Sequence, residues 1–174
     1  MYHHVADFLN DWQQESLSTL KLLQSFTDAA LGQRVDAAGA TLGGIAWHLT
    51  VSAAELLRIA GTPIEAPADD SPVPANAAEI AASYQRMASA LQQQVSTNWT
   101  DAMLPEEIQA YGQSWTRGQL LAVLLRHQTH HRGQLTVLAR QANIVIPGVC
   151  GPTREEMAVL LGQMALSADS GRSG

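Results

Sequence analysis

Apolar side chains recur at intervals of three and four along most of the chain, the mark of helices with one buried face. Val5, Phe8, Leu9, Trp12, Ser16, Leu20, Leu23, Thr27 and Ala30 form one such stripe and predict a first helix over about residues 3–31, ended by Gly32 as a left-handed cap. A polar loop from Gln33 to Ala40 leads to Thr41, a predicted N-cap. Leu42, Ile45, Leu49, Leu56 and Ile59 then predict a second helix over 42–60, stopped by Gly61 and Pro63. Residues 61–75 hold four of the seven prolines together with Glu65, Asp69 and Asp70, which predicts a surface connection. Asn76 and Glu79 stand at capping-box spacing before a third helix that ends near Asn98, with Ile80, Tyr84, Met87, Leu91 and Val95 inward. Residues 99–115 contain Pro105 and Gly112 and little periodicity, and are read as loop with at most a short extended stretch. Thr116 and Gln119 open a fourth helix to about Gln141, with Leu120, Leu124, Leu135 and Leu138 inward. After a Pro/Gly break from Ile144 to Pro152, Thr153 and Glu156 cap a short final helix carrying Met157, Leu160, Leu161 and Met164.

No convincing strand alternation and no internal repeat emerges. The pattern predicts an all-α chain: a four-helix bundle with a long crossover between helices 2 and 3, plus a short C-terminal helix. Residues 1–166 are expected to form a single domain and 167–174, small and polar, a flexible C-terminal tail.

Composition narrows the function. Apolar types make up 46% of the 174 residues and charged types only 15%, enough for one sizeable core and unlike a disordered chain. A formal charge of -6 lacks the basic surplus of a nucleic-acid-binding protein, so no nucleic-acid partner is expected. The apolar runs are shorter than the ~20 residues that span a bilayer, and the N-terminus shows no signal-peptide pattern, so a cytoplasmic location without a membrane partner is expected. The single Cys150 excludes an intramolecular disulfide framework. It sits in a Gly/Pro-rich loop with no base near it in sequence.

Candidate chemistry lies in the six histidines. His127 and His131 are i and i+4 on the fourth helix, about 40° apart on its surface, and two imidazoles so placed can converge on one metal ion. The same spacing serves zinc proteases, but the Glu that would follow the first histidine there is Gln128 here, and that reading is rejected. Both histidines fall in the row of Leu124, Leu135 and Leu138, where an unsatisfied polar group costs roughly 1–3 kcal/mol. His130 points about 60° from His127 and 100° from His131, toward the rim. His48 stands between Ile45 and Leu49 on the inner side of the second helix. It reads either as a hydrogen-bonded core histidine or as a third donor that completes a three-histidine face with open positions. Glu55, seven residues on, is on the same face and is a candidate acceptor to a ligand or a base. His3 and His4 read as solvated terminal residues. Arg126 and Arg132 flank the histidines, as steering charges for an anionic substrate or as an ion-paired helix face. Trp12 reads as core; Trp47 and Trp115 are candidates to wall a pocket or a dimer face.

Trp47-His48-Leu49 near the start of helix 2, followed by His127, His130 and His131 with the trailing Arg132-Gly133-Gln134, resembles the DinB/YfiT-like metalloprotein superfamily. The resemblance covers helices 1 to 4. It implies a four-helix bundle with a long crossover, a divalent metal (commonly nickel or zinc) and frequent dimers. Carried onto this chain it implies His48, His127 and His131 as the ligands. Some relatives are thiol-dependent transferases that use bacillithiol or mycothiol. The expectation is therefore a divalent-metal-binding protein acting on a small-molecule substrate, with a low-molecular-weight thiol as one candidate. It would activate the thiol as an S-transferase or water as a hydrolase. The alternative is a non-catalytic dimeric metal-binding or stress-response module. Three imidazoles by themselves suit zinc, nickel, copper or ferrous iron.

Overall fold

The computed structural model describes residues 1–68 and 70–170, with side chains through Met164. Helices α1 (Val5–Leu23), α2 (Leu42–Ile59), α3 (Ala77–Asn98) and α4 (Arg117–Gln141) form the bundle, and α5 (Arg154–Ser170) follows. Strands β1 (Glu107–Ala110) and β2 (Gln113–Thr116) pair between α3 and α4. Residues 171–174 of the expected tail, and Asp69 of the crossover, lie outside the described residues.

Contacts along the helices give their directions. Tyr2 N donates to Gly118 O at 3.4 Å, Glu15 meets Arg132, and Gln33 reaches Gln141, so α1 and α4 run parallel. Arg117 bonds the Ala60 carbonyl and Gln128 the Leu49 carbonyl, so α2 opposes α4. The Trp12 indole donates to Ala88 O at 3.1 Å and Asp28 accepts from Ala77 N at 2.7 Å, so α3 opposes α1. Helices α2 and α3 are thus parallel neighbours and need the predicted crossover between them. The Trp47 indole donates to Ser71 O at 3.2 Å and the Trp99 indole to Thr62 Oγ1 at 2.9 Å, which ties that crossover down at both ends. Trp47 is a buried anchor of the crossover.

Capping follows the side chains singled out in the sequence. Thr41 accepts from Gly44 N, Asn76 from Glu79 N, and Thr116 forms a reciprocal capping box with Gln119. Thr153 and Glu156 bond each other's backbone N–H at the start of α5.

One expectation is corrected and a second refined. The first helix stops at Leu23 rather than near residue 31: the Ser25 hydroxyl bonds Leu22 O at 2.7 Å, and Asp28 is drawn to the start of α3. Phe26, Ala30 and Leu31 stay buried beyond the stop, which is why the apolar period ran on through them. The second is a refinement: the short extended stretch allowed within residues 99–115 is a two-stranded hairpin. Its two-residue turn is Tyr111 at φ 52° and Gly112 at φ 73°, the left-handed pair of a type I′ turn. Strands of four residues are too short for an alternation to declare itself. The Trp115 indole donates to Ala110 O at 3.1 Å, inside this hairpin.

The core is apolar save for a buried polar layer. Gln128 is fully buried and bridges the Tyr84 hydroxyl, which donates to it at 3.0 Å, and the Leu49 carbonyl at 2.9 Å. One turn on, Arg132 is 1% exposed and donates to Glu15 Oε2, to Glu15 O at 3.0 Å and to Thr19 Oγ1 at 3.3 Å. Its fourth contact is Cys150 Sγ at 3.4 Å. Arg132 is therefore an internal ion pair and steers nothing toward the histidines. Among the described residues no helix is long and apolar enough to cross a membrane.

A buried charge that loses its partner is costly, whereas an exposed pair is worth under about 1 kcal/mol. Glu15→Ala is expected to lower unfolding free energy by about 3 kcal/mol in urea titrations. Glu106→Ala, at the half-exposed pair with Arg117, is expected to cost less than about 1 kcal/mol. Equal losses would contradict the burial argument.

Candidate metal centre

The parallel and antiparallel neighbours of α4 give its two flanks different work. The row facing the core is Leu121, Leu124, Gln128, Arg132, Leu135 and Ala139, all buried. His127 and His131 lie beside that row, half-buried, on the flank turned to α2. His48 meets them from α2 and is exposed, not inward between Ile45 and Leu49 as its sequence neighbours implied. The site is thus at the rim of the bundle.

The three rings converge. Ring centres are 5.0 Å apart for His48 and His127, 4.8 Å for His48 and His131, and 4.4 Å for His127 and His131, with near-perpendicular planes. One ring nitrogen from each lies within 4.8 Å of the others, so the three could hold a metal ion. The His48 and His127 Nε2 atoms are 2.9 Å apart. That is hydrogen-bond distance, one ring donating to the other, so an ion held by both would displace the shared proton. Nδ1 of His131 lies 2.7 Å from Oε1 of Gln134.

Electrostatics point the same way. Burial, and then the neighbouring imidazoles His131, His48 and His130, lower the pKa of His127 to about 4. A proton is therefore excluded at neutral pH, and the ring keeps the free lone pair that a metal requires. Among the described residues no carboxylate joins the converging donors.

The other candidates fall elsewhere. Glu55 is half-buried two turns along α2 from His48, about 10 Å by helical rise. His130 is exposed, its ring centre 5.0 Å from that of His131. With Arg126 it borders a groove of about 580 Å³ on the opposite flank of α4, shared with Asp11 and Glu15 of α1. His4 pairs with Asp101 at 2.9 Å, at the start of α1. Sequence reading named Gln128 and Gln134 without giving either a role. An i+3 amide after a candidate ligand was the available signal for Gln134.

The sequence profile of the DinB family matches residues 1–165. The chain belongs to the DinB family. The resemblance drawn from the tryptophan–histidine and His127-to-Gln134 segments is thereby borne out over the whole bundle. A relative from Bacillus subtilis (strain 168), the uncharacterised protein YrdA, is 43% identical over 158 residues, covering 91% of this chain and 95% of its own. The crystal structure of a DinB-like protein from Bacillus cereus superposes with a TM-score of 0.83 at 37% identity, covering 86% of this chain and 99% of the other. A DinB-like protein of Bacillus subtilis, YjoA, shares the fold at TM-score 0.64 and 18% identity, over 85% of this chain and 99% of its own.

The depressed His127 pKa makes a stability prediction for the metal-free DinB-family protein. The unfolded chain takes up a proton near pH 6.5, and folded His127 refuses one until about 4. Folding stability is therefore complete above about 6.5 and is lost as pH falls through that window. His127→Gln is expected to flatten this part of the profile of melting temperature against pH. A variant whose acid-side slope matches the parent would contradict the assignment.

Proposed function

We propose that this DinB-family protein is a divalent-metal-dependent enzyme whose centre, His48, His127 and His131, activates a thiol or water against a small electrophile. What carries the reading is the convergence of three imidazole donors, with no carboxylate among the described residues joining them, at the rim of the bundle. Such a donor set leaves an ion's double positive charge uncompensated, which lowers the pKa of a thiol or water taking an open position.

The chain's own residues supply the rest. His127 stays unprotonated at neutral pH and so remains available as a donor. Exposed His48 leaves one side of the cluster open to a small molecule from solution, while the half-buried pair on α4 closes the other. Nickel or zinc suits the donors, and a low-molecular-weight thiol suits the open side. One observation favours the non-catalytic metal-binding module instead: Glu55, the candidate base, is about two helical turns from His48.

Metal analysis of untagged protein tests the ligand set. His48→Ala, His127→Ala and His131→Ala are expected to lose stoichiometric divalent metal, and His130→Ala to keep it. In cobalt-substituted protein, a small thiol is expected to change the visible spectrum. A spectrum indifferent to thiols, azide and pH would mean a closed ion and would put the module reading first.

The same reading includes a homodimer. Helix α5 is held by its first turn, where Arg140 forks onto Glu155 at 2.8 and 2.7 Å. Beyond it Met157, Val159, Leu160 and Leu161 are all exposed, whereas the four bundle helices bury their apolar faces. A helix apolar on several sides needs cover, and a second copy carries the same uncovered helix. Light scattering is expected to give twice 18.7 kDa. Leu160→Glu with Leu161→Glu is expected to give the monomer mass with metal content unchanged; a dimer surviving that change would exclude α5 from the interface.

A further inference from the structure

The orientation of His131 depends on a neighbour that is not itself a donor to the cluster. Gln134 follows it by three residues on α4, close to the same face of the helix, and its Oε1 is 2.7 Å from Nδ1 of His131. An amide oxygen only accepts, so the hydrogen bond requires the proton of the neutral ring on Nδ1. The lone pair is then on Nε2. Were the amide turned to present its nitrogen, Nδ1 would have to accept, and the ring proton would sit on Nε2 and block it.

We propose that Gln134 is the positioning residue of this centre: its side-chain oxygen holds His131 in the Nδ1-protonated tautomer and fixes the ring so that Nε2 faces His48 and His127. The role rests on the metal reading above for its purpose, though not for its geometry. Such a partner fixes the tautomer, restrains the ring and raises the basicity of the donor nitrogen, and losing one commonly weakens metal binding about 10–100-fold. Gln134 is exposed, so its replacement opens no core cavity, and an effect on the centre is separable from an effect on folding.

Two measurements on full-length protein decide it. Long-range ¹H–¹⁵N correlation spectra of metal-free protein near pH 8 report which nitrogen of His131 carries the proton. The parent is expected to show Nδ1–H, and Gln134→Ala a shift toward Nε2–H. Zinc affinity by competition with a chromogenic chelator is expected to fall about 10–100-fold in Gln134→Ala. Gln134→Glu, which still accepts from Nδ1, is expected to restore it to within a few-fold of the parent. Nε2–H in the parent, or Gln134→Ala binding zinc as tightly as the parent, overturns the proposal. A parent that binds no zinc removes the metal reading, and the tautomer shift then decides the role of Gln134 by itself.

Discussion

Burial of an amide and a guanidinium inside the bundle fixes how α4 sits against its neighbours. Gln128 must satisfy both ends of its amide, with the Tyr84 hydroxyl on α3 and the Leu49 carbonyl on α2. Arg132 must place its charge against Glu15 and Thr19 of α1. A shift of α4 by one residue rotates these groups by about 100° and leaves each without its partner, at a cost of several kcal/mol. The two buried polar residues therefore act as register pins. Polar groups are poor sources of net stability in a core, but they discriminate strongly between alternative packings.

The histidine centre follows from that register. His127 and His131 lie one residue to the N-terminal side of Gln128 and Arg132, so their rows are neighbours on the helix. Turning Gln128 and Arg132 inward turns the histidines to the α2 flank. The Gln128 bond to Leu49 O sets the height of α2 beside them, and His48 is the residue before Leu49. The same pairing that closes the core thus delivers three rings to within about 5 Å of one another. Part burial and then the neighbouring imidazoles disfavour a proton on His127 and leave its lone pair suited to a different cation.

Much of this was legible in the chain. Apolar spacing and capping residues gave α2, α3 and α4 closely, because local hydrogen bonds and a one-sided apolar face are properties of consecutive residues. The DinB-family motif was legible for the same reason: His127, His131 and Gln134 share one helix. The end of α1 and the hairpin were not. Leu23 ends α1 because Asp28 bonds a backbone N–H on another helix, while the apolar stripe continues through buried Phe26 and Ala30. The hairpin depends on left-handed Tyr111, a conformation its residue type does not announce.

The sequence by itself determined that four amphipathic helices would bury one core, that two imidazoles would share a helix face, and that Cys150 would have no disulfide partner in the chain. Only the tertiary structure decided which residues of α4 point inward. By polarity, Gln128 and Arg132 belong to the surface and the leucines to the core, which placed the histidines in the core row. The packed bundle does the reverse for Arg132, which it buries, and for His48, which it exposes. A buried charge is tolerable only where Glu15, 117 residues away in sequence but adjacent in space, supplies the opposite charge, and no local pattern records that meeting.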